Sequence, residues 1–269
     1  RLRDIPIVTF VNKMDREAQD PIELLDEIAS KLALDPAPLF WPAGSGGRFK
    51  GMLDLRSQQF LPFAKKGAEP DDGHPTPVAF KGNAIISYLD PEEQAELEEN
   101  AMLMQEASKP FDPQAFLEGH MTPVFFGSAL RHFGVDQLLG GLGAYAPPPK
   151  AVAALRNGEP THVAPGDKEV TGFVFKVQAN MDPNHRDRIA FLRMTSGKFQ
   201  RGMKLKVQNT GRQLSVNAPI MFFASDRELA EEAFAGDVIG IPNHGVLRVG
   251  DSLSETGTLR FAGLPNFAP

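Results

Sequence analysis

The stretch IVTFVNKMDR, residues 7–16, contains the strongest indication of the fold. A nearly continuous apolar run from Ile5 to Val11 predicts a β-strand that is buried on both faces. The run ends abruptly at Asn12-Lys13-Met14-Asp15, which places an amide, an ammonium and a carboxylate at fixed spacing. Ligands of open α/β sheets bind beyond the carboxyl ends of the strands, so this loop is a candidate binding loop.

A second strand in the first half of the chain ends in a similar way. Val124 to Phe126 predicts a short buried strand, Gly127-Ser128-Ala129-Leu130 predicts a sharp turn, and a helix is expected to resume near Val135. If the two strands are parallel neighbours, the loops that follow them are walls of one site.

Helix signals separate these strands. Asp20 is a candidate N-cap, with Pro21 at the first helical position and Glu23 at capping-box spacing. Asp90 begins a second such signal, which leads into an acidic helix that extends to about Ala107. We interpret its glutamates as an exposed helix face rather than as metal ligands.

The side chains of the two loops suit a guanine base. A carboxylate such as that of Asp15 accepts two parallel donors, which guanine offers through N1–H and its exocyclic amine and adenine does not. Asn12 could brace the loop or donate to the other edge of the base, and the methylene stem of Lys13 could cover its face. Ala129 could offer its backbone N–H to the guanine carbonyl, and Ser128 could bond the loop that carries Asp15. The alternative is that Asn12 and Asp15 only cap a turn.

The Gly-rich segment GSGGRFKG, residues 44–51, resembles a phosphate loop only superficially. It lacks the Gly-Lys-Ser/Thr ending and does not lead from a strand into a helix, so we interpret it as a turn between two short strands.

The second half predicts an all-β domain. Short segments rich in β-branched and aromatic residues, separated by glycines, favour a barrel or sandwich over residues 169–269. The proline-rich stretch between the halves predicts a linker over 150–168.

The net charge of −6 conceals an uneven distribution. Residues 176–212 contain nine basic and two acidic residues. This basic band is either a solvated strand face or a local electrostatic contact surface. Its loop at 180–188 includes Asp182, His185 and Asp187, but a pairing of arginines with carboxylates is a better interpretation than a metal site, because no second His is nearby.

The amino-acid composition excludes several classes of protein. The chain has no Cys, which excludes disulfides and thiolate metal sites and is acceptable in a reducing compartment. No apolar run approaches the roughly 18 residues that a transmembrane helix needs. Because Arg1 directly precedes a strand and Pro269 ends a loop-like stretch, we expect a fragment of a longer protein.

Several segments carry a family resemblance. NKMDR and GSAL resemble the fourth and fifth guanine-recognition motifs of translational GTPases. Together with TPVFFGSALRHFGVDQLL, QANMDPNHRDR and GLPNFAP, they most resemble the family of bacterial peptide chain release factor 3, relatives of elongation factor G. The family motifs G-x-x-x-x-G-K-[ST] and D-T-P-G-H are absent from this sequence, and Asp237 to Gly240 matches D-x-x-G only formally, because it is expected in a strand.

The resemblance implies a fold and a set of domains. It implies the C-terminal part of an α/β P-loop GTPase-type domain over residues 1–149, with an insert at about 41–110, followed by an all-β translation-factor barrel, domain II, at 169–269. It also implies guanine contacts, which we expect at Asn12, Lys13, Asp15, Ser128, Ala129 and Leu130.

The resemblance further implies a cytoplasmic GTP hydrolase, with no membrane partner, that binds GTP or GDP. Mg²⁺ is expected with the phosphate-binding half, and this chain alone is expected to be inactive. The implied function is removal of decoding release factors from the ribosome, with contacts to 16S rRNA and ribosomal proteins. Candidate rRNA contacts are Arg186, Arg188, Arg193 and Lys198. Alternatives are an elongation-factor-G-like GTPase or, for this chain alone, a non-enzymatic ribosome-binding module.

Overall fold

The computed structural model describes residues 5–63, 75–179, 188–223 and 226–261. The chain divides into two compact units, Arg1–Pro147 and Pro148–Pro269. The predicted order of a mixed α/β part followed by an all-β part is confirmed. None of the helices in the described ranges is both long and apolar enough to span a bilayer.

The first unit contains four α-helices and seven strands among its described residues. The helices are α1 (Pro21–Leu32), α2 (Pro91–Ala107), α3 (Pro113–Leu117) and α4 (Val135–Tyr145). The strands are β1 (Thr9–Val11), β2 (Asp35–Pro38), β3 (Phe40–Ala43), β4 (Gly51–Asp54), β5 (Gln59–Pro62), β6 (Val78–Ala79) and β7 (Met121–Phe126). Short 3₁₀ turns occur at Gly46–Arg48, Asn83–Ser87 and Ala129–Arg131.

A parallel three-stranded sheet forms the base of the first unit, in the order β1-β7-β2. β1 and β7 run in the same direction and end together, with Val11 opposite Phe126. β7 is buried along its whole length, as its position between two neighbours requires.

The prediction that residues 5–11 form a strand buried on both faces is wrong. Only Thr9–Val11 is a strand, and it is half-buried. Ile5 and Ile7 have exposed fractions of 61% and 41%. The physical reason is that β1 lies at a sheet edge and pairs, among the described residues, only with β7.

A second, antiparallel sheet lies between β2 and β7 in sequence, in the order β3-β4-β5-β6. It packs against β7 through aromatic side chains: the rings of Phe40 and Phe125 lie 5.8 Å apart, and Trp41 meets Phe126 edge-on at 5.8 Å. This sheet and α2 lie within the stretch that we propose as an insert. The predicted turn at residues 44–51 connects β3 to β4.

Both predicted helix starts are observed, although they are capped differently. At α2, Asp90 and Glu93 form the complete reciprocal capping box, with two N···O distances of 2.9 Å. At α1, the side chain of Asp20 accepts from the backbone of Ile22. Glu23 adds acidic charge to that first turn.

All regular elements described in the second unit are strands. They are β8 (Val152–Arg156), β9 (Glu159–Val163), β10 (Thr171–Ala179), β11 (Arg188–Ser196), β12 (Lys198–Gln200), β13 (Lys204–Val207), β14 (Gln213–Ser215), β15 (Ile220–Phe223), β16 (Asp226–Leu229), β17 (Glu232–Phe234), β18 (Val238–Pro242), β19 (Ser252–Ser254) and β20 (Leu259–Phe261). Eight of them form one sheet in the order β14-β13-β19-β10-β11-β18-β15-β16, around a core that includes Val174, Leu192 and Leu253.

The stretch 150–168 differs from the predicted linker. β8 and β9 form a hairpin inside it, and β20 completes a three-stranded sheet. The prolines did not prevent this, because Pro160 lies in the edge strand β9, where a missing N–H donor is tolerated. As predicted, the formal D-x-x-G match leads into a strand, β18.

Candidate guanine-recognition site

The two predicted loops meet at the carboxyl ends of β1 and β7. The N–H of Gly127 donates to the carbonyl oxygen of Val11 at 3.0 Å, which extends the parallel pairing one residue beyond β7. The N–H of Met14 then donates to the carbonyl oxygen of Gly127 at 3.0 Å. The sheet therefore brings the Asn12–Asp15 loop and the Gly127–Leu130 loop together, as the sequence predicted.

Asn12 braces both loops. Its Oδ1 accepts from the backbone N–H of Lys13 at 2.8 Å and from that of Ala129 at 2.9 Å. This is the bracing alternative among the two roles expected of Asn12. It differs from the expectation that Ala129 keeps its N–H free for a base, because that donor is already engaged.

The Asn12–Asp15 loop is a tight turn anchored in the core. Lys13 has a backbone φ of 68°, a conformation that non-glycine residues rarely adopt and that is found at constrained functional loops. Its carbonyl oxygen accepts from the N–H of Arg16 at 3.0 Å. Met14, in contrast, is completely buried in the main core of the unit. The loop thus directs one residue inward while its neighbours remain accessible.

The Asp15 side chain is available for a ligand. Asp15 is partly exposed, and its carboxylate makes no hydrogen bond or ion pair with the residues described here. A carboxylate in this state retains its full accepting capacity for two donors. This observation fits the role expected of Asp15 better than the alternative that it caps the turn.

The Gly127–Leu130 loop is closed by Phe133. The backbones of Ser128 and Phe133 exchange two hydrogen bonds, of 2.9 and 3.0 Å. Leu130 projects outward with 73% of its surface exposed. The proposed bond from Ser128 to the Asp15 loop is wrong for this structure, because the Ser128 Oγ is buried and has no partner among the described residues.

The two loops leave a carboxylate and several side chains accessible to a ligand. Asp15 offers a free acceptor pair, and Lys13, Ala129 and Leu130 are exposed. These are the residues at which the sequence predicted contacts with guanine. No described residue near them supplies the G-x-x-x-x-G-K-[ST] backbone and Lys that bind phosphates and place Mg²⁺, because this sequence lacks that motif.

The candidate RNA-contact residues lie at separate places on the second unit. Arg193 is exposed on the face of β11 opposite to the core, and Arg188 is exposed at the start of that strand. Lys198 lies on β12, where its Nζ is 2.7 Å from Glu232 and 5.5 Å from the ring centroid of Phe234. Arg186, with the loop at 180–187, lies outside the described residues.

Two site-supporting residues were missed by the sequence reasoning. Met14 is the variable position of the N-K-x-D pattern, and Phe133 lies three residues beyond the G-S-A-L segment. An apolar residue inside an otherwise polar loop is a signal that could have identified Met14 as an anchor.

The comparisons with known proteins agree with this geometry. Residues 1–148 match the family described as elongation factor Tu GTP binding domain, and residues 169–256 match elongation factor G domain 2. The first match covers more than half of the chain. The chain therefore belongs to the family of the elongation factor Tu GTP-binding domain, a guanine-nucleotide-binding family.

Within this family, the chain is similar to proteins named peptide chain release factor 3. Peptide chain release factor 3 of Bordetella petrii is 48% identical over 280 residues, and that of Bordetella avium is 47% identical over 269 residues. Each alignment covers 100% of this chain and 49% of the relative. The resemblance to release factor 3 is confirmed, and the chain spans about half the length of the curated relatives it matches.

Proposed function

We propose that the two loops form the guanine-binding half of a GTP site in a translational GTPase. The observation that carries this proposal is the meeting of both loops at the ends of the parallel strands β1 and β7, joined by Asn12 Oδ1. In this proposal Asp15 accepts N1–H and the exocyclic amine of guanine. The Lys13 stem and Leu130 border the faces of the base, and Ser128 and Ala129 shape its carbonyl edge.

The wider activity follows from the relatives and is part of the same proposal. The protein would hydrolyse GTP with Mg²⁺ bound at a phosphate site and would remove decoding release factors from the ribosome. Contacts to 16S rRNA and ribosomal proteins would come partly from the second unit. Phosphoryl transfer depends on phosphate positioning and charge stabilisation, so the 269-residue polypeptide tested alone should not hydrolyse GTP.

Base discrimination tests the guanine site directly. GMP and IMP carry the same phosphate, but IMP lacks the exocyclic amine that Asp15 would bind. One charge-assisted hydrogen bond is worth about 1.5–3 kcal/mol, so the chain should prefer GMP to IMP by roughly 10-fold to 100-fold. Asp15→Asn should abolish this preference and favour XMP, because an amide N–H can donate to the 2-oxo group.

Titrations followed by the backbone NMR signals of the two loops would measure these affinities. Glu17→Gln is the matched control, since it removes one negative charge from an exposed neighbour of the same loop. It should leave the GMP/IMP ratio unchanged. An Asp15→Asn variant that keeps the wild-type preference for GMP would show that Asp15 does not read the base.

A further inference from the structure

The Gly-rich turn between β3 and β4, residues 44–50, has no role in the guanine site as described above. We call it the insert turn. Its Gly46 is buried, with a backbone φ of +59°. Gly47, the next residue, is exposed and has nothing within 4 Å of an added Cβ. Two adjacent glycines of one turn therefore have very different surroundings.

Gly46 contacts the back of the Asn12–Asp15 loop. Its N–H donates to the carbonyl oxygen of Met14 at 2.9 Å. A Cβ on Gly46 would lie 3.1 Å from the backbone nitrogen of Glu17 and 3.3 Å from the carbonyl carbon of Arg16. The loop backbone approaches so closely that a larger residue would displace it, and the positive φ adds a second reason for glycine.

The bond to Met14 constrains the backbone that leads into Asp15. The Met14 carbonyl and the Asp15 N–H belong to one planar peptide unit. Gly46 fixes one end of that unit while the Met14 N–H is held by Gly127 and the Met14 side chain is buried. The backbone from which the Asp15 side chain extends is thereby held by contacts on its buried side.

The insert turn also contacts the loop formed by Gly127–Leu130, through Phe133. Phe49 of the insert turn meets Phe133 edge-on, with centroids 5.5 Å apart, and Phe63 meets the same ring at 5.2 Å. Phe133 closes the loop that carries Ser128 through two backbone hydrogen bonds. The insert turn thus contacts the Asn12–Asp15 loop through Gly46. It contacts the residue that closes the Gly127–Leu130 loop through Phe49.

We propose that the insert turn positions the guanine-recognition loops, with Gly46 as the positioning residue for Asp15. The proposal rests on the proposed guanine site and adds a specificity-determining element to it. Displacement of the loop should weaken recognition of the exocyclic amine more than general contact with the base. The GMP/IMP ratio is therefore the sensitive quantity, because loss of folded protein would lower both affinities equally.

Gly46→Ala and Gly47→Ala form the matched pair of variants for this test. In the 269-residue chain, Gly46→Ala should lower the GMP/IMP affinity ratio about tenfold, whereas Gly47→Ala should leave it at the wild-type value. If wild type does not prefer GMP, the guanine site itself is refuted. If wild type prefers GMP and Gly46→Ala keeps that preference, the positioning role is refuted while the site remains.

A second variant decides the outcome if Gly46→Ala does not fold. Phe49→Leu keeps an apolar side chain in the core but removes the edge-on contact with Phe133. Its affinities for GMP and IMP should fall together, because both bases carry the carbonyl edge that Ser128 and Ala129 shape, and the NMR signals of Ser128 and Ala129 should shift in the absence of nucleotide. Unchanged affinities and unshifted signals in a folded Phe49→Leu protein would overturn the proposal that the insert turn positions both loops.

Discussion

At the residue scale, Asn12 illustrates how one side chain can organise a site. An amide oxygen has two lone pairs, and both are used here by backbone donors from two different loops. Any contact of Asn12 with a base must therefore come from its NH₂ group. The Oδ1 atom of Asn12 therefore holds the two loops together, and only its NH₂ group is left to bind a ligand.

Glu169 has a comparable structural role in the second unit. Its carboxylate accepts from Arg156 at 2.8 Å and from the hydroxyl of Thr256 at 2.7 Å, so it joins β8 to the turn before β20. Burial acts to raise the pKa of Glu169, but the hydrogen bonds from Thr256 and Arg156 and the positive charge of Arg156 outweigh it. The pKa of Glu169 is consequently lowered.

This pKa shift predicts a dependence of stability on pH. Because folding lowers the pKa of Glu169, its stabilisation is complete above the unfolded-state value near 4.5 and is lost as the pH falls through the folded-state value. Glu169→Gln should cost about 1–2 kcal/mol at neutral pH and should flatten the acid limb of the stability curve. Denaturant unfolding followed by circular dichroism from pH 7 to pH 3 would measure this.

Glu228→Gln is the control for that experiment, since Glu228 is exposed and makes no ion pair among the described residues. It should leave the pH profile unchanged. Equal profiles for Glu169→Gln and wild type would show that the ionised form of Glu169 contributes nothing to the pH dependence of stability.

Single residues were predictable where their chemistry is restrictive. The spacing of Asn12 and Asp15 after an apolar run indicated a base-binding loop, because few side chains offer a paired acceptor. The partner of Ser128 could not be predicted, since a hydroxyl bonds whatever group the fold brings near it, and here the fold brings none among the described residues.

At the element scale, α4 provides a sharp test of packing. Gly141 faces β7, and an added Cβ would lie 2.3 Å from the ring of Phe125. Gly140 and Gly143 lie in the same helix with nothing within 4 Å. Gly141→Ala should therefore destabilise the first unit by about 1–3 kcal/mol. Gly140→Ala and Gly143→Ala should each stabilise it by about 0.5–1 kcal/mol, because alanine favours a helix.

Thermal denaturation of the three single variants, followed by circular dichroism, would check this. The two exposed positions are internal controls for helix propensity. A Gly141→Ala protein as stable as Gly140→Ala would contradict the close packing of α4 on Phe125.

Elements with explicit end signals were predictable, and those defined by distant partners were not. α2 begins at its predicted start signal and ends at Ala107, as expected. β8 and β9 were missed because their prolines are typical of a linker, while their pairing depends on β20, about 100 residues later. β1 was predicted too long, since hydrophobicity alone does not tell an edge strand from a central one.

At the scale of the whole molecule, the two units differ in charge as well as in fold. Residues 1–168 have a net charge of −8 (16 Lys and Arg, 24 Asp and Glu), and residues 169–269 have +2 (12 against 10). If the second unit contacts ribosomal RNA, this contact should dominate the salt dependence of association, because phosphate neutralisation releases counterions.

The role of the basic band in ribosome binding can be tested by removing one positive charge inside the band and, in a control variant, one positive charge outside it. Arg193→Gln should weaken binding of the chain to ribosomes and reduce the slope of log affinity against log salt by about one. Arg260→Gln removes the same charge from an exposed site on β20, outside the band, and should have little effect. Ribosome sedimentation assays over a range of salt concentrations would compare them. Equal effects of the two substitutions would indicate a response to net charge rather than a contact surface.

The distribution of chromophores has a practical consequence. The chain has one Trp and two Tyr, and all three, Trp41, Tyr88 and Tyr145, belong to the first unit. Trp41 is buried, and its indole lies edge-on to the ring of Phe126. Phe126 is the residue that precedes Gly127 in the sequence. Intrinsic fluorescence is therefore a label-free reporter of the first unit alone, and the second unit is optically silent to tryptophan excitation. A fluorescence melting curve that differs from the circular dichroism curve would reveal separate unfolding of the two units without any engineered dye.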